Sequence, residues 1–351
     1  MTAKSERVSF AGAAGATLAA RLDLPEGSPS AYALFAHCFT CSKDIFAASR
    51  ISRSLAERGI AVLRFDFTGL GSSEGEFANT DFSSNVEDLV AAADFLRDRY
   101  QAPRILIGHS LGGAAVLAGA GRVPEAAAVA TVAAPSEPAH VRHLIKAAVP
   151  AIEAKGEAEV EIAGRTFRIR KKFLEDIAAQ NMREAIAELG KALLVFHGPR
   201  DQIVHIDNAQ RIFEAAKHPK SFVSLDDADH LLTRRSDAEY VGAVLAAWAS
   251  RYVGPAEAEA GTSAAAPAEA APAGGPGVVR VAESGDGRFA QTIDAAGHAL
   301  RADEPASYGG ADTGPSPYDL LLAALGACKS MTVRLYAERK KWPLERVAVR
   351  L

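Results

Sequence analysis

The sequence is short of several things, and each shortage removes a class of protein. Only three cysteines, Cys38, Cys41 and Cys328, occur in 351 residues. That is too few for a fold built on disulfides and fits a reducing compartment. No uninterrupted apolar run reaches the roughly 18 residues that would cross a bilayer, so no membrane partner is expected. The opening MTAKSERVSFAGAAG carries charges but no apolar core of the kind found in secretory leaders, and a cytoplasmic protein is expected. There is no excess of one charge: 39 Lys and Arg stand against 43 Asp and Glu, a formal net charge of −4. Electrostatics therefore gives no case for nucleic acid as a partner. No internal repeat relates one part of the chain to another.

What is present is an ordinary soluble composition, 48% hydrophobic and 23% charged, with material for a large core. The first half alternates β-like and helical runs. A hairpin is expected over 8–10 and 18–24, then strands at 31–37, 61–65, 104–108 and 127–133. Helical spacing occupies 48–58 and 82–100, with Val86, Leu89, Val90, Ala93 and Leu96 on one side. Strands alternating with helices imply a doubly wound, mostly parallel sheet. The alternation breaks between about 135 and 190, where a helical piece, a hairpin over 157–169 turning at Ala163-Gly164, and a helix over 172–189 are expected. An insertion there is placed to be a lid over the strand ends; a purely structural insertion is the alternative. Sheet grammar resumes with strands at 192–196 and 221–225 and helices at 206–216 and 238–252.

From residue 254 the text becomes GPAEAEAGTSAAAPAEAAPAGGPG, with no large apolar residue until Val278. This reads as a linker over 254–277, separating a domain over 1–253 from a second one over 278–351. The second should hold strands at 278–283 and 288–293, a Gly-, Asp- and Pro-rich loop, a long helix over 316–341 and a short strand at 347–349.

The chemistry centres on RILIGHSLGG, residues 104–113. A strand runs into Gly108-His109-Ser110-Leu111-Gly112 and then into an Ala-rich helix. This G-x-S-x-G turn is too tight for side chains at its two glycines, and it holds Ser110 at a helix N-terminus. A serine hydroxyl needs a base, and the base needs an orienting carboxylate. Downstream, Asp201 follows the strand LLVFHG and His230 follows the strand FVSLDDADH, so both lie in strand-end loops. Asp207, Asp226, Asp227 and Asp229 compete with Asp201 for the acid role. The expected oxyanion donors are the backbone N–H groups of Leu111 and Phe39, the latter in FAHCFTC. His37 is read as ordering that loop. Asp66, in RFDFTGLGSSEG, reads either as a cap on the Gly-rich turn or as a substrate contact. Cys38 and Cys41 have redox spacing, but two small buried thiols are expected instead. No metal or other cofactor is required by any of these groups.

Taken together, AHCFTCSKD, DFTGLGSSEG, GHSLGG, HGPRDQIV and ADH resemble the α/β-hydrolase family over about residues 5–253. The resemblance implies acyl transfer from a small-molecule acyl substrate through an acyl-serine, with Ser110, Asp201 and His230 as the catalytic set. One departure is Cys38, where many relatives have Gly after the histidine of the oxyanion loop. The stretch GADTGPSPYDLLLAALGACKSMTVRLYA resembles part of the OsmC/Ohr-like family. That likeness implies an α+β fragment, a homodimer through it, and Cys328 as a candidate peroxidatic thiol. Three functions follow: a serine esterase, a thiol-dependent hydroperoxide reductase centred on Cys328, or a binding protein that retains the fold.

Overall fold

The computed structural model describes residues 4–162, 164–253 and 279–351. Residues 254–277, read as the linker, lie outside the described residues. The chain divides into two compact units between residues 260 and 261.

In the first unit, β1 (Lys4–Ala11) and β2 (Thr17–Leu24) form the expected antiparallel hairpin. They are followed by β3 (Ala31–Ala36), α1 (Phe46–Ala56), β4 (Ile60–Phe65), α2 (Phe82–Arg99), β5 (Ile105–His109), α3 (Leu111–Gly119) and β6 (Ala128–Val132). The inserted region contributes α4 (Val141–Leu144), α5 (Val149–Lys155), β7 (Glu157–Ile162), β8 (Arg165–Arg170), α6 (Lys171–Ala179) and α7 (Met182–Ala187). Then come β9 (Ala192–His197), α8 (Asp207–Ala215), β10 (Lys220–Ser224) and α9 (Arg235–Ala249). The eight strands of the main sheet are ordered β1-β2-β4-β3-β5-β6-β9-β10. β1 and β2 are antiparallel to their neighbours and the other pairings are parallel.

The central strands are continuous apolar runs because both their faces are covered. The period of two is visible in the packing. Tyr32, Leu34 and Ala36 of β3 point into the core formed with α2 and α3. Ala31, Ala33 and Phe35 point into the core formed with α1 and α9. Leu193 and Val195 against Leu194 and Phe196 repeat this division in β9. Each large side chain so enclosed contributes roughly 1.5–3 kcal/mol, so these strands make a rigid edge from which loops can carry chemistry.

The inserted region differs from expectation in one respect. The helix over 172–189 is two helices, broken where Gln180 is extended (ψ 132) and its amide donates to the Asp176 carbonyl and Ser83 Oγ. Phe167, Phe173, Leu174, Ile177, Met182 and Ile186 bury into the same core as Phe39 and Leu111. At its edge, Ser83 donates to Asp176 (2.6 Å) and Lys172 pairs with Asp81 (2.6 Å).

The second unit has β11 (Val279–Glu283), β12 (Gln291–Ala295) and β13 (His298–Ala302) in one antiparallel sheet, then α10 (Pro317–Lys340). The third strand falls where a loop was expected; its hairpin turn uses Ala296 and Gly297, both at positive φ. The expected strand at 347–349 is not formed: these residues pair with no strand among the described residues. A capping box between Ser316 and Asp319 starts α10. By length and composition α10 is long and apolar enough to cross a membrane, although charged residues such as Asp319, Lys329 and Arg334 interrupt its apolar run. Leu321, Leu325, Met331 and Leu335 on it are exposed.

Candidate active site

The loop from β5 to α3 is set by close backbone approach. A Cβ on Gly108 would collide with the Gly112 carbonyl, and one on Gly112 with the carbonyls of Ala36 and His37. Ser110 sits at φ 55, ψ −125, with its N–H donating to Val132 O at 2.9 Å. A non-glycine residue held there stores about 1–3 kcal/mol, and the surrounding sheet, not the local sequence, holds it.

Two other strand ends meet it. Asp201 follows β9; its Oδ1 accepts the N–H groups of Ile203 (2.8 Å) and Val204 (2.9 Å). His230 follows β10 and donates from Nδ1 to Asp201 Oδ2 at 2.7 Å. Its other nitrogen, Nε2, lies 2.9 Å from Ser110 Oγ. Since a carboxylate only accepts, Nδ1 carries the proton and Nε2 is left bare to receive one from Oγ. All three residues are at least nine-tenths buried. Burial alone would raise the Asp201 carboxyl, but the His230 hydrogen bond and charge and the two backbone N–H groups outweigh it, holding it below the usual range. The competing acids are engaged elsewhere. Asp226 accepts from Ser224, Asp227 pairs with Arg234, Asp229 accepts from Thr233, and Asp207 opens α8.

Two histidines that the sequence reading did not single out brace this row. His109 Nε2 donates to the His230 carbonyl at 2.7 Å, and His197 Nε2 donates to the Val204 carbonyl at 2.7 Å. Both have a buried Nδ1 without a hydrogen-bond partner among the described residues. Burial, aided by nearby His230, lowers His109 to about 3, and burial lowers His197 as well. Each is thus a neutral donor holding a loop that carries a member of the row.

Of the expected oxyanion donors, Phe39 follows β3 and Leu111 opens α3. The N–H groups of Phe39 and Leu111 make no hydrogen bond among the described residues. His37 Nδ1 donates to the Cys38 carbonyl at 2.8 Å, so it orders the loop as expected. Asp66 is a cap: it accepts Lys43 N (2.5 Å), Lys43 Nζ (2.7 Å) and Ser72 N (2.8 Å). The expectation of two free thiols is corrected. Cys38 and Cys41 are joined in a disulfide with Cα atoms 5.3 Å apart. The turn between them, with Thr40 at φ 60 and Cys41 N bonded to Cys38 O, brings residues three apart into bridging range. The Phe39 ring stacks on Phe173 of α6 at 5.4 Å and lies 5.7 Å from Phe77, while Arg165 of β8 donates to Thr40 O. Behind this loop a cavity of about 10 Å³ is lined by Phe39, Phe67, Leu70, Asn85, Leu111 and Ala115.

In the second unit Cys328 is exposed on α10 and is the one free cysteine among the described residues.

A three-residue relay at the strand ends of a mostly parallel sheet is the arrangement of a hydrolase. Comparison with known proteins agrees. The model of the alpha/beta hydrolase family matches residues 33–308, and the chain belongs to that family. The OsmC-like protein model matches residues 309–351, so the C-terminal region is OsmC-like. Among solved structures, the esterase domain of a Rhodothermus marinus protein is 56% identical, with a TM-score of 0.61, covering 72% of this chain and all of that one. Among curated relatives, the mouse mitochondrial palmitoyl-protein thioesterase ABHD10 is 27% identical over 192 residues, 51% of this chain and 62% of its own length. The monoacylglycerol lipase of Mycolicibacterium smegmatis is 24% identical over 236 residues, 59% of this chain and 82% of its own. The uncharacterised protein YfhR of Salmonella typhi is 25% identical; the match spans 57% of its length. The chain is therefore a hydrolase by family.

Proposed function

We propose that the protein is a serine esterase that cleaves a small acyl ester through an acyl-serine. The observation that carries this reading is the unbroken relay from Ser110 Oγ to His230 Nε2 (2.9 Å) and from His230 Nδ1 to Asp201 (2.7 Å). His230 takes the hydroxyl proton as Oγ attacks the acyl carbon. The new oxyanion is met by the N–H groups of Leu111 and Phe39, aided by the N-terminus of α3. His230 then returns the proton to the departing alcohol. Water, deprotonated by the same imidazole, releases the acid and restores Ser110. Asp201 stays ionised throughout and stabilises the imidazolium that forms in each half.

A small acyl group is favoured because the cavity beside the oxyanion loop holds about one water molecule. Phe39, one of its walls, stacks on Phe173 of the inserted region. Esters are favoured by the esterase domain that is 56% identical. The test is intact-mass measurement after exposure to a fluorophosphonate. The wild type should gain one adduct and Ser110→Ala none; a folded wild type that gains none would refute the assignment.

A second reading concerns the OsmC-like region. The exposed thiol of Cys328 supports attack on a hydroperoxide oxygen, giving a cysteine sulfenic acid and an alcohol. Hydroperoxide consumption in the presence of a thiol reductant, lost in Cys328→Ser, would support it; none by the wild type would end it.

A further inference from the structure

The disulfide is hard to account for as a staple. It closes a loop of four residues, and the chain entropy removed by a crosslink shrinks with loop length. The residues before it, Ala31–Ala36, are already fully buried in the sheet. What it encloses is Phe39 and Thr40, and Phe39 carries a proposed oxyanion donor. Thr40, a β-branched residue, stands at φ 60, in the left-handed region that such residues rarely occupy. Inside the turn the other ties are the 3.2 Å bond from Cys41 N to Cys38 O and the bond from Thr40 Oγ1 to the Phe39 carbonyl. The enclosed residues also meet the inserted region, through the Phe39–Phe173 stack and the Arg165 donation to Thr40 O. The two cysteines differ in exposure: Cys38 is 4% exposed, whereas Cys41 is only half-buried.

From these observations, and resting on the reading of Ser110 as the nucleophile, we propose that the Cys38–Cys41 cystine is a reversible redox modification site. A dithiol reductant opens it, and opening it lowers acyl transfer at Ser110. A thiolate of the reductant attacks the accessible Cys41 sulfur, breaking the S–S bond and releasing Cys38 as a thiolate, which takes up a proton. The second thiolate of the reductant attacks the mixed disulfide, releasing Cys41 and closing the reductant to its own disulfide. The cystine gains two electrons and two protons; the dithiol loses both. Without the crosslink, Thr40 relaxes from its left-handed conformation and the Phe39 N–H swings off the position of the oxyanion.

The experiment uses the full chain in oxidised form and after dithiothreitol treatment and anaerobic removal of the reagent. Thiol counting should give one free thiol before reduction and three after, the first being Cys328. Initial rates on a p-nitrophenyl ester should show kcat lower by about tenfold or more in the reduced form, since complete loss of one oxyanion donor costs on the order of 10²- to 10³-fold. KM should change little, and reoxidation should restore the rate. Exhaustive fluorophosphonate labelling should reach one adduct in both forms. Cys41→Ser should be fixed at the slow rate with or without reductant, while Cys328→Ser should keep the response. Equal rates in the two forms, with their thiol counts verified, would overturn the proposal and leave Ser110 standing. Three free thiols that no disulfide oxidant closes to one would do the same. No hydrolysis and no adduct in either form would overturn both this proposal and the reading beneath it.

Discussion

Acidification should destabilise the hydrolase unit through His109. This imidazole is fully enclosed, donates to the His230 carbonyl and is held to about 3 by burial, against 6.5 when solvated. A base whose folded value is lowered contributes its full stability above the unfolded value and loses it as pH falls toward the folded one. The unfolded chain binds a proton below pH 6.5 that the folded chain refuses until about pH 3. Each pH unit in that window costs about 1.4 kcal/mol. Between pH 7 and pH 5 His109 alone should therefore remove roughly 2 kcal/mol. His37 and His197, also lowered by burial, steepen the slope further. Asp88 and Glu137, raised by burial, act with the opposite sign. The comparison that isolates His109 is with His109→Gln, which keeps a donor for the His230 carbonyl and has no proton to bind. The two tryptophans, Trp248 and Trp342, fall one in each unit. In a Trp342→Phe background, Trp248 fluorescence during urea unfolding reports on the hydrolase unit. The pH 7 to pH 5 loss should be smaller by about 2 kcal/mol in His109→Gln than in the parent. Parallel pH profiles for the two proteins would refute the reasoning.

Two further substitutions test the supports of the site. Asp201→Asn should lower kcat on a p-nitrophenyl ester by roughly 10⁴-fold while the circular dichroism spectrum is unchanged, because an amide in that place favours the wrong imidazole tautomer; a loss below tenfold would remove Asp201 from the relay. Asp66→Asn should cost about 3–5 kcal/mol in urea unfolding, because it removes the buried carboxylate that meets the Lys43 ammonium at 2.7 Å and leaves that ammonium only the exposed Asp44 carboxylate at 3.2 Å. Adding Lys43→Met should recover much of that loss, and a single-substitution cost under about 1 kcal/mol would show that the pair is solvated.

The strands of the main sheet and the three residues of the relay were legible because each is written locally. Buried parallel strands must be apolar on both faces, so β3, β5, β6 and β9 stand out as short apolar runs bounded by turns. Ser110 announces itself through the two glycines that the turn demands. Asp201 and His230 are found by asking which acid and which histidine follow a strand. β13 was illegible for the opposite reason. Its turn is made by Ala296 and Gly297 at positive φ, and an alanine there gives no turn signal. The break in the helix over 172–189 is likewise hidden, since Gln180 leaves the helix for a partner 97 residues away, Ser83, while Asn181 turns to Glu184 of the next helix.

The braces of the site lie deeper still. His109 occupies the free position of the G-x-S-x-G pattern, where the turn itself asks for no particular side chain. Its partner, the His230 carbonyl, is 121 residues away, and nothing in the spacing of the pattern names it. The cystine shows the same limit more sharply. Bridging Cys38 and Cys41 requires a tight turn between them, and the residue that makes it is Thr40, whose β-branch disfavours the left-handed conformation it adopts. Local propensity argues against the turn. Besides the crosslink, it is held by contacts outside it: Arg165 on the Thr40 carbonyl, and Phe77 and Phe173 against the Phe39 ring. The inserted region and the oxyanion loop thus shape one another, and a substitution that frees Phe173 from Phe39 should loosen the same turn that reduction of the disulfide opens.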